Sequence, residues 1–162
     1  MDFSPHIAIS GGADCSEEEA LLSFETGQLL AQAGAVLLCG GMTGVMQEAC
    51  RGAKSQGGTT IGILPGTDRR QANPYVDIAL PTGMGEGRNF LLVRAADSII
   101  AIGGGWGTLS EIALALRIGC PVIGLKTLEV VRDKKPLNDI IRAQNPHHAV
   151  ELALSLAQKK RG

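Results

Sequence analysis

Two eleven-residue stretches of the 162-residue chain repeat one another without a gap. Leu38-Cys39-Gly40-Gly41-Met42-Thr43-Gly44-Val45-Met46-Gln47-Glu48 aligns on Ala101-Ile102-Gly103-Gly104-Gly105-Trp106-Gly107-Thr108-Leu109-Ser110-Glu111. Each copy reads as the end of a buried strand, a Gly-Gly, two spacers, a further Gly, and a helix carrying Glu four residues on. Gly11-Gly12, after Ile7-Ala8-Ile9, is a shorter third member. A strand–turn–helix unit used repeatedly restricts the chain to βα folds. Its strands are continuous apolar runs, not alternating ones, which fits a parallel sheet covered by helices on both faces.

The rest of the chain keeps that rhythm. Ser16 with Glu19 reads as a capping box opening a helix that Gly34 stops. Val36–Cys39, Thr60–Leu64, Val76–Leu80, Ser98–Ile102 and Pro121–Leu125 read as further strands. Helices are expected from Gly40-Gly41 to about Lys54, over Gly87–Ala96 and over Thr108–Leu116. Asn145-Pro146 reads as an N-cap with Pro at the first helical position, opening a last helix over 145–160. Residues 127–144 carry the charged run Arg132-Asp133-Lys134-Lys135 and read as irregular. The expectation is one doubly wound, Rossmann-like α/β domain over 1–162, mostly parallel, with helices on both faces of the sheet.

Composition excludes several classes. Fifteen Lys and Arg against sixteen Asp and Glu give a net charge of −1, so no general field draws nucleic acid or an anionic membrane. The charge-free stretch Thr26–Gln47 is long enough to span a bilayer, but its five glycines and three glutamines argue against a membrane helix. The start, Met-Asp-Phe-Ser-Pro-His, has no basic region followed by an apolar run. Cys15, Cys39, Cys50 and Cys120 form no C-x-x-C pair and no zinc spacing with His6, His147 or His148. Free thiols and a cytoplasmic location are expected, with no metal site.

The 22 glycines concentrate where a ligand would bind. In a parallel sheet the three glycine turns lie at the carboxyl ends of strands, where ligands bind at topological switch points. The helices behind them present unpaired N–H groups and a partial positive charge of about +0.5 each. Two or three such turns side by side make an anion site with almost no Lys or Arg. A bland reading competes: the glycines only permit tight turns and close helix–sheet packing. NAD is disfavoured, because Gly11-Gly12-Ala13-Asp14 is not G-x-G-x-x-G and the second strand ends in Cys39-Gly40 with no acidic residue. A P-loop is excluded, because no lysine follows a glycine. Between the repeats, Thr82–Gly87 is a loop with three glycines that places Arg88 in the first turn of a helix. A cation there is disfavoured by a few tenths of a kcal/mol. An anionic partner, Glu111 or a ligand phosphate held by the planar fork, accounts for it.

These motifs resemble the superfamily once described as lysine decarboxylase-like, which holds the LONELY GUY phosphoribohydrolases and the molybdenum-cofactor (Moco) carrier proteins. The resemblance covers about residues 6–125. Gly104, Gly105, Gly107, Thr108 and Glu111 match the hydrolase pattern P-G-G-x-G-T-x-x-E, and Arg88 matches an upstream arginine. Gly40, Gly41, Gly44 and Met46 match much of G-G-G-x-x-G-x-M. Gly103 replaces the proline, Asn89 stands where the hydrolases have lysine, and Cys39 replaces a glycine. With Glu86-Gly-Arg-Asn and a short chain, the sequence is more similar to the compact branch that holds the Moco carriers.

The resemblance implies two functions. As a carrier, the chain would bind the pterin phosphate of Moco without turnover, using Gly11, Gly12, Gly40, Gly41, Thr43, Gly44, Gly103, Gly104, Gly105 and Gly107. Thr108 and Ser110 would donate hydrogen bonds, and Arg88, Asn89 and Glu111 would line the cleft. As a phosphoribohydrolase of nucleoside 5′-monophosphates, it would use Glu111 on the ribose and attacking water, and Arg88 to orient Glu111 or the leaving base. A homo-oligomer, dimer or tetramer, is implied, with a molybdoenzyme or a Moco-synthesis protein as partner.

Overall fold

Apolar runs of four to six residues become the buried strands of one sheet. The computed structural model describes residues 3–161, the side chains of 160 and 161 excepted. Residues 1, 2 and 162 of the expected span lie outside the described residues. In chain order the elements are β1 (His6–Gly11), α1 (Glu17–Gln32), β2 (Val36–Cys39), α2 (Val45–Ser55), β3 (Thr59–Leu64) and β4 (Ile78–Pro81). They continue with α3 (Arg88–Ala95), β5 (Ser98–Ile102), α4 (Trp106–Arg117), β6 (Val122–Leu125), β7 (Val131–Arg132), β8 (Lys135–Pro136), β9 (Ile141–Arg142) and α5 (Pro146–Arg161).

Seven strands form the sheet in the order β4-β3-β2-β1-β5-β6-β9, every neighbouring pair parallel. The chain builds outward from β1 to β4, then crosses back to lay β5 on the other side of β1. The order therefore reverses between β1 and β5, and the crevice at their carboxyl ends is the switch point.

Alternate side chains of each strand feed two cores. Ile7, Ile9, Leu37, Ile100, Ile102 and Ile123 pack under α1, α2 and α5. Ala8, Leu38, Ile99, Ala101 and Val122 pack under α3 and α4. Ile99, Ile100 and Ile102 of β5 are fully buried, which is worth about 1.5–3 kcal/mol each against exposure. Ile112 and Ala115 of α4 also belong to the second core, so this stripe of α4 packs inward.

Local signals act where the sequence has them. Ser16 Oγ accepts from Glu19 N–H (3.1 Å) while Glu19 Oε2 accepts from Ser16 N–H (2.8 Å), the full capping box. Asn145 Oδ1 accepts from His148 N–H at 2.9 Å, capping α5. Two helix glycines serve packing: a Cβ on Gly27 would overlap the Ala49 carbonyl oxygen of α2, and one on Gly52 the Phe24 carbonyl oxygen of α1. Helices α1 and α2 thus approach backbone to backbone.

Two boundaries differ from expectation. β4 starts at Ile78, because Val76 and Asp77 are taken up by a turn in which Asp77 Oδ2 accepts from Thr60 N–H (3.0 Å). Within 127–144 the chain forms the β7–β8 hairpin, turned by Asp133 and Lys134 at positive φ, and then β9, which pairs with β6. Two-residue strands carry too little pattern to be seen in a sequence.

Candidate functional site

The switch-point crevice opens into a cleft of about 430 Å³, within the range of small-molecule sites. Gly11, Gly12, Thr43, Arg88, Asn89, Gly105, Gly107, Thr108 and Glu111 line it, brought together from both halves of the sheet. Ala13, Met42, Met46, Pro65 and Glu86 complete the wall. The motifs had singled out none of these five for the cleft.

The remaining expected residues sit behind that wall, most of them against protein atoms. A Cβ on Gly40 would overlap the Arg88 guanidinium, so this glycine makes room for the arginine. Gly44, at φ 65°, brings its α-carbon against the Gly12 and Ala13 carbonyls and locks the β2–α2 turn onto the β1–α1 turn. Val45 N–H donates to Gly12 O (3.0 Å) and Thr43 Oγ1 to Ala13 O (3.0 Å) across the same junction. Gly41 lies against Leu64, Gly103 against the Glu19 carboxylate, and Gly104 against the Thr108 hydroxyl. Ser110 is exposed outside the cleft and takes a weak contact from Asn89 Nδ2 (3.4 Å).

Besides α3, which begins with Arg88 in the cleft wall, helices α1, α2 and α4 start near the cleft, and their N-termini are not equivalent. α1 is closed by its capping box and carries Glu17, Glu18 and Glu19 in its first turn, so it repels anions. The possible set of three anion turns therefore reduces to two. No side chain caps α2 or α4. At α4 the bland reading of the glycines fails locally: a Cβ on Gly105 or on Gly107 would meet no protein atom within 4 Å. Nothing in the chain itself requires glycine at these two positions. The space in front of them is cleft.

Polar chemistry gathers on one wall. Glu111 is 7% exposed, and Ser10 Oγ donates to its Oε2. Burial pushes the Glu111 carboxyl up to about 7, against the lowering effects of the Ser10 hydrogen bond and the nearby Arg88 charge, with Glu86 adding to the rise. Arg88 is equally buried, but its Nη1 donates to Ile63 O (2.9 Å) and it forms no ion pair with Glu111. Of the two anionic partners named for Arg88, Glu111 is not paired with it: α3 aims the guanidinium at the end of β3, and Arg88 acts on Glu111 only through space. Arg88 Nε, Asn89 Oδ1 and Thr108 Oγ1 are buried with no hydrogen-bond partner. Each such orphan costs about 1–3 kcal/mol.

Ser10 was not among the sequence candidates. A signal existed, since Ser10 is the polar break after Ile7-Ala8-Ile9, on the Ala8 side of the strand that faces α4. Arg69 and Arg70 stand apart from the cleft, and Arg70 pairs with Asp68 on the surface (2.8 Å). Among the described residues no group of three His, Cys, Asp or Glu side chains is placed to hold a metal ion. No helix there is long and apolar enough to cross a membrane.

Comparison with known proteins places this geometry. An uncharacterised protein of Archaeoglobus fulgidus is 37% identical over 153 residues, 94% of this chain and 97% of the relative. The solved molybdenum cofactor binding protein of Rippkaea orientalis superposes with a TM-score of 0.88 at 38% identity, covering 95% of this chain and 98% of that one. A Moco carrier protein of Chlamydomonas reinhardtii superposes with a TM-score of 0.85 at 35% identity, over 97% and 99% of the two chains. The kinship with the carrier branch expected from the motifs is thereby borne out. The model of the SLOG cluster4 family matches residues 4–150, and the chain is a member of that family.

Proposed function

We propose that the cleft binds a phosphorylated cofactor, Moco before others, and stores or hands it on without turnover. The observation that carries this reading is the contrast between α1, sealed by Ser16 and Glu19, and α4, uncapped and fronted by open space at Gly105 and Gly107. An anion placed there meets first-turn N–H groups and the positive end of the helix. The similarity to proteins named for Moco binding and carriage supports the choice of cargo.

The residues present fit such a ligand. The unpartnered Thr108 hydroxyl and Arg88 Nε–H are donors held at the cleft wall, as a phosphate requires. Glu111, held near neutrality by burial, tolerates an adjacent anion better than an ionised carboxylate would. Assembly into a homo-oligomer and delivery to a molybdoenzyme or from a Moco-synthesis protein belong to the same proposal.

The test is direct. Purified protein is mixed with Moco, bound and free cofactor are separated by gel filtration, and cofactor lifetime in air is followed. Retention with a longer lifetime is expected. Failure of the protein to retain Moco, or release of free base from AMP in place of retention, overturns the reading.

A further inference from the structure

Trp106 is the one tryptophan of the chain and the first residue of α4, yet 87% of its surface is exposed. An indole carries up to about 250 Å² of largely apolar surface that normally drives burial. It stands between Gly105 and Gly107, which offer no side chain to pack against it. Beside it lies a pocket of about 340 Å³ walled by Trp106, Leu109, Leu128, Val130 and Val131, with Glu129 as its one charged residue. Gly105 lines this pocket and the cleft alike, so the two cavities adjoin at the N-terminus of α4.

We propose that this pocket is a second subsite, which takes the flat heteroaromatic ring of the same phosphorylated ligand by stacking on Trp106. The proposal rests on the anion reading of the cleft. Continuity through Gly105 selects the occupant: a ligand whose phosphate faces Gly107 and Thr108 can reach the indole one residue away. Volume agrees, since about 340 Å³ lies within the range of small-molecule sites. Aliphatic walls and an indole face offer dispersion and stacking, worth about tenfold or more in affinity per ring. Glu129 adds an acceptor, so a ring with N–H donors on its edge fits best. The ligand class is therefore a phosphate ester of a bicyclic amino-oxo heterocycle, recognised at both ends.

Trp106 is its own reporter, because no other tryptophan contributes to the emission. Guanosine 5′-monophosphate and ribose 5-phosphate are titrated into the full chain and into Trp106→Ala, by calorimetry and by tryptophan fluorescence. The nucleotide is expected to quench Trp106 emission saturably and to bind about tenfold more tightly than the ring-free phosphate. Trp106→Ala should erase that difference and leave ribose 5-phosphate binding unchanged. Equal binding of the two ligands to the native chain overturns the subsite but not the anion cleft, as does saturation without quenching. Binding of neither ligand overturns both. A Trp106 emission that varies with protein concentration, with dissociation of an oligomer in Trp106→Ala, gives the indole to a second copy and also overturns the subsite.

Discussion

The guanidinium of Arg88 lies over the α-carbon of Gly40: a methyl group there would stand 2.7 Å from Cζ and 2.8 Å from Nη2. Gly40→Ala should therefore dislodge Arg88 from Ile63 O and cost about 1–3 kcal/mol. Urea denaturation measures the loss. Calorimetry with inorganic phosphate should show weaker binding than in the native chain.

Glu111 makes stability depend on pH in a defined direction. Its folded pKa of about 7 lies above the ordinary value of 4.5. Between those limits the unfolded chain has lost the proton while the folded chain keeps it, so the folded state binds more protons and stability falls as pH rises. The contribution is complete below about 4.5, is lost by about 7, and is on the order of 3 kcal/mol. Glu111→Gln removes this slope. Denaturation at acid and alkaline pH should show the variant gaining on the native chain as pH rises.

Gly107→Ala separates stability from binding. The new methyl meets no protein atom, and alanine is a better helix former by about 1 kcal/mol, so the melting temperature should hold or rise slightly. Retention of a phosphorylated ligand should fall, because the methyl occupies cleft space. An unchanged affinity would remove Gly107 from the binding surface.

Gly27→Ala has the opposite outcome in the same type of element. Here the methyl would press on the Ala49 carbonyl, with Ala53 N only 3.0 Å away. Helix propensity favours the change, but two helix backbones must separate to admit it. A net loss of about 1–3 kcal/mol is expected in thermal unfolding, with ligand affinity little changed once the chain is folded.

Strand and helix succession was legible because its signals are local. Apolar runs mark β1, β2, β3, β5 and β6, Ser16 and Asn145 mark helix starts, and Gly34 marks an end. The doubled glycine turn also led to the correct side of the sheet. The division of labour within it was not legible. Gly105 and Gly107 face open cleft, whereas Gly40, Gly44 and Gly103 face Arg88, the Gly12–Ala13 backbone and Glu19. One residue type serves both purposes, and only tertiary neighbours tell them apart. The Ser10–Glu111 contact spans 101 residues, and no spacing rule connects its partners.

The reversal of strand order between β1 and β5 also governs when the protein can hold a ligand. Gly11 and Thr43 come from one half of the chain, and Arg88, Thr108 and Glu111 from the other. A nascent chain that ends after β4 owns half a cleft. Ligand retention therefore depends on completed synthesis and folding, and an occupied cleft couples the two halves through mass action.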